Sequence, residues 1–195
     1  MDEHRIFPAH RAHVLNDEQR LAALSEEGLV TLLDLDGTED IADLGSGTGF
    51  YTNRIAAHTS GTVYAVEVQS EMQDHHRARC LPANVQMVLG DVDELPLPEG
   101  SIDRAVSINT FHEAHGHDGL VRLARALREG GRLLIVDWRR DPAATAQGPR
   151  LEARLTKEEA ASLLSPHFRT QEVRDLGEFF FSVVATPAHE QRTLD

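Results

Sequence analysis

The sequence predicts an α/β fold, a doubly wound and mostly parallel sheet that closes with an antiparallel hairpin, and three observations carry that expectation. Apolar runs of about five to seven residues alternate with amphipathic stretches, as in strands buried on both faces and joined by crossover helices. A glycine-rich turn, Gly45-Ser46-Gly47-Thr48-Gly49, joins the first apolar run to the amphipathic segment Phe50 to Ala57. Two final runs, Thr170 to Leu176 and Phe179 to Ala185, flank Gly177, as the arms of a hairpin do.

Taken in order, residues 1–16 are rich in His and Arg and lack periodicity, whereas Asp17 to Leu35 place Leu21, Leu24, Leu29, Leu32 and Leu33 at helical spacing. Residues 1–37 therefore read as a helical cap ahead of a sheet domain at 38–195, the two forming one globular unit. Strands are expected near 40–44, 62–66, 85–89, 102–108 and 132–137. Helices are expected near 51–58, 70–80, 117–128 and 157–164, the last starting from an N-cap at Thr156 with Glu159 as its capping-box acid. Thr170 to Leu176 and Phe179 to Ala185 supply the hairpin strands, giving seven in all. Pro142 to Pro149 reads as a loop.

Composition narrows the partners. A length of 195 residues suits one domain with a substantial core. The formal charge of −13 repels phosphate backbones, which argues against nucleic acid as a partner. Eighteen of the 19 basic side chains are Arg, Lys157 being the lysine, and Arg139, Arg140 and Arg150 offer a local basic patch for a small anion. Cys80 has no cysteine to pair with, the N-terminal residues lack an apolar leader core, and no apolar run approaches the roughly 20 residues that span a bilayer. The expectation is a cytoplasmic protein acting on a small molecule without a membrane partner. The last strand's edge permits a homodimer.

The glycine turn sets the chemistry. Glycines allow a tight turn and a close backbone approach to a ligand, and the segment that follows offers unpaired N–H groups at its start. A dinucleotide turn holds a pyrophosphate, which Asp43, two residues before Gly45, would repel; the third glycine also comes one residue early. A ligand bearing positive charge suits that carboxylate. S-adenosylmethionine, with its ammonium and sulfonium, is such a ligand, and Asp43, Gly45, Ser46, Gly47, Thr48 and Gly49 form its expected turn.

Asp43-Leu44-Gly45-Ser46-Gly47-Thr48-Gly49 resembles motif I of the class I S-adenosylmethionine-dependent methyltransferases, and later landmarks follow in that family's order. Thr62 to Glu67 is similar to its second strand ending in an acid. Gly90-Asp91-Val92-Asp93 resembles the adenine loop, Ile102 to Asn109 the fourth strand with its substrate-facing end, and Leu127 to Val136 the Gly-Gly turn into strand five. Within the family the chain is most similar to the small enzymes related to ubiquinone and menaquinone methyltransferases. The resemblance covers roughly residues 38 to 186 and implies a Rossmann-like seven-stranded sheet with S-adenosylmethionine as cofactor.

In such a sheet, ligands lie beyond the carboxyl ends of the strands. Glu67, 22 positions after Gly45, suits the ribose hydroxyls. The resemblance implies that Gly90 and Asp91 with Val92 hold the adenine, that Val68 and Met72 line its other face, and that Asn109 contacts the methionine end. His112 is the candidate catalytic base or substrate contact. His112, Glu113, His115 and His117, with His10 and His13, invite a metal reading, but His112 and His115 are three apart where the zinc-protease pattern needs four, so no fixed metal is expected. His10 and His13 lie in the segment expected to cover the cofactor, and Asp137 and Trp138, after strand five, face the same cleft by position.

No Asn-Pro-Pro-Tyr follows strand four, and lone Cys80 fits neither a covalent cytosine mechanism nor arsenite methylation. A small organic acceptor remains, its reacting atom unspecified. The competing readings are a protein that binds S-adenosylmethionine or S-adenosylhomocysteine without transfer, and an NAD-dependent oxidoreductase, which Asp43 disfavours.

Overall fold

A computed structural model of the chain describes residues 6–22, 24–113, 116–144 and 147–188. Seven strands form one sheet: β1 (Ile41–Leu44), β2 (Val63–Glu67), β3 (Val85–Leu89), β4 (Ile102–Ile108), β5 (Leu127–Trp138), β6 (Phe168–Leu176) and β7 (Phe180–Pro187). Their spatial order is β3-β2-β1-β4-β5-β7-β6. The first five pair in parallel, while β7 runs antiparallel to both β5 and β6. The expected doubly wound sheet and closing hairpin are both present. Among the described residues five α-helices accompany it: α1 (Glu26–Leu33), α2 (Thr52–Ala56), α3 (Ser70–Arg77), α4 (His117–Ala126) and α5 (Lys157–Leu164).

Side-chain parity on the strands builds two cores. Ala42, Leu44, Leu133, Ile135, Phe181 and Val183 turn to one face, against Leu120 and Leu123 of α4 and Leu164 of α5. Ile41, Val63, Ala65, Leu134, Val136 and Val184 turn to the other, against Leu29, Leu32 and Leu33 of α1 and Ile55 of α2. Burial of both strand faces is what a parallel sheet between helical layers requires.

The cap departs from the expected helix over Asp17 to Leu35. It is instead two 3-10 segments, Ala9–Asn16 and Glu18–Ala22, followed by α1. Local side-chain bonds explain the breaks: Asp17 Oδ1 accepts the Gln19 N–H at 2.9 Å, and Ser25, itself extended, caps α1 by accepting from Gly28. The Gly-Gly turn before strand five is also absorbed differently. α4 stops at Ala126 and β5 starts at once, with Gly130 at φ 76° and a register shift opposite Ile102 and Arg104. The Thr156–Glu159 capping box forms as expected. Among the described residues no helix is long and apolar enough to cross a membrane.

Candidate functional site

Beyond the carboxyl end of β1 the chain turns through Gly45, Gly47 and Gly49 at φ 74°, 54° and 73°, left-handed conformations that favour glycine. The turn is packed on all sides. A Cβ on Gly45 would lie 2.3 Å from Thr110 Cγ2, one on Gly49 2.0 Å from His76 Cδ2, and one on Gly47 3.3 Å from Leu15 Cδ1. The Gly45 and Ser46 N–H groups both donate to Val66 O at the end of β2.

Glu67, from the end of β2, reaches under this turn. Its Oε2 accepts the Gly47 N–H and its Oε1 the Gln69 N–H, each at 2.9 Å. Burial raises its pKa, opposed by these backbone bonds. A carboxylate has about four acceptor sites, and with the Val68 backbone also bearing on Glu67 some capacity is left for a ligand hydroxyl. Asp43 is buried, and loss of water pushes its carboxyl up to about 6, against the Thr52 hydroxyl that donates to it at 2.6 Å and the Arg20 charge.

Two buried polar atoms at this edge have no partner among the described residues: Ser46 Oγ in the turn and Asn109 Oδ1 just after β4. Asn109 sits at φ 59°, its N–H tied to Val136 O at 2.8 Å. Buried polar groups are normally paired, so these atoms, beside a glycine cradle and a braced acid, fit a polar nucleoside-type ligand such as S-adenosylmethionine. Gly90 donates its N–H to Glu67 O, and Asp91 Oδ1 accepts from Asp93 N, which places the expected adenine loop beside the end of β2. Val68 is half-buried next to Glu67, whereas Met72 is fully buried on α3. Thr48 donates its hydroxyl to Asn16 Oδ1 of the cap at 2.7 Å.

On the other side of Asn109, His112 meets Asp137 from the end of β5. Asp137 Oδ2 accepts the His112 backbone N–H at 2.8 Å, its Oδ1 lies 2.8 Å from His112 Nδ1, and Oδ1 also takes the Trp138 N–H at 2.7 Å. Both side chains are buried. Burial alone would lower the His112 pKa; the hydrogen bond and charge of Asp137, aided by Glu113, hold it above its ordinary value. With Nδ1 engaged as donor, Nε2 carries the lone pair, 3.6 Å from Glu113 Oε1. Burial pushes Glu113 up to about 7, and Glu113 feels the charges of both Asp137 and Glu67 at the same edge of the sheet.

Position alone had put Asp137 at the cleft, but not its bond to His112, which arises because β4 and β5 are neighbours. Arg154 was not foreseen: almost fully buried, it donates to Arg139 O, Ala144 O, Gln147 O and Pro149 O and fastens the segment behind Trp138. His10 and His13 are exposed on the cap, and His115 lies outside the described residues. Among the described residues no three metal-ligating side chains come together.

Comparison with known proteins agrees with this geometry. Residues 41–131 match a family model described as a methyltransferase domain. An uncharacterised methyltransferase of Mycobacterium tuberculosis is 38% identical over 101 residues, 52% of this chain and 40% of its own length. A ubiquinone/menaquinone biosynthesis C-methyltransferase of Ectopseudomonas mendocina is 30% identical over 105 residues, 50% of this chain and 41% of its own. The chain thus spans less than half the length of these curated relatives. The crystal structure of an S-adenosylmethionine-dependent methyltransferase from Aquifex aeolicus superposes with a TM-score of 0.86 at 26% identity, covering 92% of this chain and 98% of that one.

Proposed function

The domain belongs to the class I S-adenosylmethionine-dependent methyltransferases, and from that premise we propose that this protein methylates a small-molecule acceptor with His112 as general base. The observation that carries the reading is the tethering of His112 by buried Asp137, at the carboxyl ends of the strands where the glycine turn also lies. When bound, S-adenosylmethionine supplies an already activated methyl for in-line displacement. The chain's own residues hold, orient and deprotonate.

In this reading Gly45, Gly47 and Gly49 let the backbone approach the cofactor, Glu67 takes its ribose hydroxyls, Asp91 and Val92 its adenine, and Ser46 and Asn109 its remaining polar groups. Val68 borders the adenine; Met72 supports α3 from within the core. His112 Nε2 accepts a proton from the acceptor, and Asp137 stabilises the resulting imidazolium without moving, because three bonds fix it. The covering of the turn by Leu15 and Asn16 supports reading residues 1–37 as a cap over the site. The charge of −13 and unpaired Cys80 support a cytoplasmic protein with a small-molecule partner rather than nucleic acid. The last strand, β7, lies inside the sheet between β5 and β6 and so offers no free edge for the expected pairing; a homodimer by strand pairing belongs instead to the β6 edge.

Calorimetric titration with S-adenosylmethionine and with NAD tests the cofactor site. S-adenosylmethionine is expected to bind and NAD is not. Glu67→Gln keeps the side chain's size but loses its charge, so it should weaken S-adenosylmethionine by roughly 10- to 100-fold. Binding of NAD in preference, or full affinity in Glu67→Gln, would overturn the assignment.

A further inference from the structure

The sequence invites a metal reading of His117 together with His112 and His115, but the fold gives His117 another partner. It is the first residue of α4, and its ring meets that of His167, 50 residues on in the turn between α5 and β6. His167 Nε2 lies 3.2 Å from His117 Nδ1. The ring centroids are 4.7 Å apart and the planes cross at 57°, so the two rings are tilted toward one another with these nitrogens at their nearer edges.

A hydrogen bond uses such a pair only once, one ring donating and the other accepting, and at an exposed position water competes for both. The same spacing serves a metal ion. Zn–N bonds of about 2.0–2.1 Å to nitrogens 3.2 Å apart enclose an angle of about 100–106°, close to tetrahedral. The surroundings favour a cation as well. A cavity of about 350 Å³ beside His117 is lined by Asp93, Glu94 and Asp118, with no Lys or Arg among its lining residues. Asp93 is held in place there, its Oδ1 accepting the Gly116 N–H at 2.8 Å. These carboxylates concentrate cations locally and can accept from metal-bound water.

We propose that His117 and His167 form a two-histidine site for a divalent transition-metal ion of the zinc and nickel class. His117 coordinates through Nδ1 and His167 through Nε2, each keeping its proton on the other ring nitrogen. No third protein ligand joins the pair among the described residues, so water completes the coordination. Imidazole suits zinc, nickel and copper, whereas magnesium and calcium prefer oxygen ligands. The ion clips the start of α4 to the turn leading from α5 into β6, and so joins the two helices that cover one face of the sheet. Neither histidine belongs to the cofactor or acceptor site, which makes the proposal independent of the functional reading.

Calorimetric titration of the full chain with zinc, nickel and magnesium chlorides tests the site. Zinc and nickel should each fill a first equivalent and magnesium should not bind. The chain has 11 histidines, so location matters as much as uptake. His117→Ala and His167→Ala should each weaken zinc by at least about 10-fold, since loss of a ligand costs no less than loss of its outer support, whereas His10→Ala with His13→Ala should leave it unchanged. At a hundredfold excess over Kd, zinc should raise the parent's Tm by roughly 5–10 °C and leave that of His167→Ala where it was. A parent that takes up neither zinc nor nickel overturns the proposal without need of any variant and leaves the pair as a hydrogen bond alone. Zinc affinity unchanged in both His117→Ala and His167→Ala would overturn it too. So would magnesium binding as tightly as zinc, which would assign the ion to the carboxylates.

Discussion

Replacing His112 by alanine is expected to lower turnover by about 10²- to 10⁴-fold while cofactor affinity stays within about 2-fold of the parent, the signature of a lost general base. Single-turnover methyl transfer and calorimetry measure the two quantities separately. The pH profile gives an independent reading. His112 takes a proton only when neutral, and Asp137 holds its pKa above the ordinary value of 6.5, so the rate should climb as pH rises through that elevated pKa. Asp137→Asn removes the charge and leaves Glu113 alone to oppose burial, which lowers the His112 pKa. Its plateau should therefore fall while the acid limb moves to lower pH. An unmoved limb in Asp137→Asn, or equal turnover in His112→Ala, sinks the role. Stability follows the same sign: a raised folded-state pKa contributes fully below about 6.5 and is lost as pH rises through the folded value, so Asp137→Asn should destabilise most on the acid side.

The second large effect concerns a single methyl group. In Gly49→Ala the new Cβ meets the His76 ring at 2.0 Å, at a backbone φ of 73°. His76 cannot retreat. It is fully buried, its Nε2 is held by Asn53 Oδ1 at 2.7 Å, and burial drives its pKa down to about 4, so the ring is a neutral packing block at working pH. Left-handed strain of about 1–2 kcal/mol and overpacking of about 1–3 kcal/mol together give a loss of roughly 2–5 kcal/mol, read from the urea midpoint. Cofactor binding should be lost as well, because Gly47 and Gly49 shape one cradle. Gly49→Ala with His76→Ala should regain part of the stability by removing the overlap but not the strain. An unchanged midpoint in Gly49→Ala would show that the turn is not packed as described.

These residues also show what a sequence discloses. The strands other than polar β6 were legible because each carries an apolar run between turn residues, and the site's outline because parallel topology puts Asp43, Glu67, Asn109 and Asp137 at strand ends. The cap's division into 3-10 segments was not, since the leucine spacing of 17–35 suits a helix and only the competing caps at Asp17 and Ser25 break it. Pairing was equally hidden. Nothing near His112 in the chain announces Asp137, 25 residues on, and nothing near Gly49 announces His76; both contacts exist because helices and neighbouring strands return the chain to the same edge. Arg154 escaped notice because a lone arginine in a polar stretch normally reads as a solvated side chain.

The two cores on opposite faces of the sheet have a thermodynamic consequence. Leu33, in α1, and Leu164, in α5, belong to separate clusters with the sheet between them. Truncating either one opens a cavity that its own layer must absorb, and neither shares packing neighbours with the other. Their free-energy losses should accordingly sum to within about 0.5 kcal/mol in a double-mutant cycle, whereas two leucines of one face, such as Leu29 and Leu33, share a cavity and should not. The molecule tolerates damage on its two sides as independent accounts.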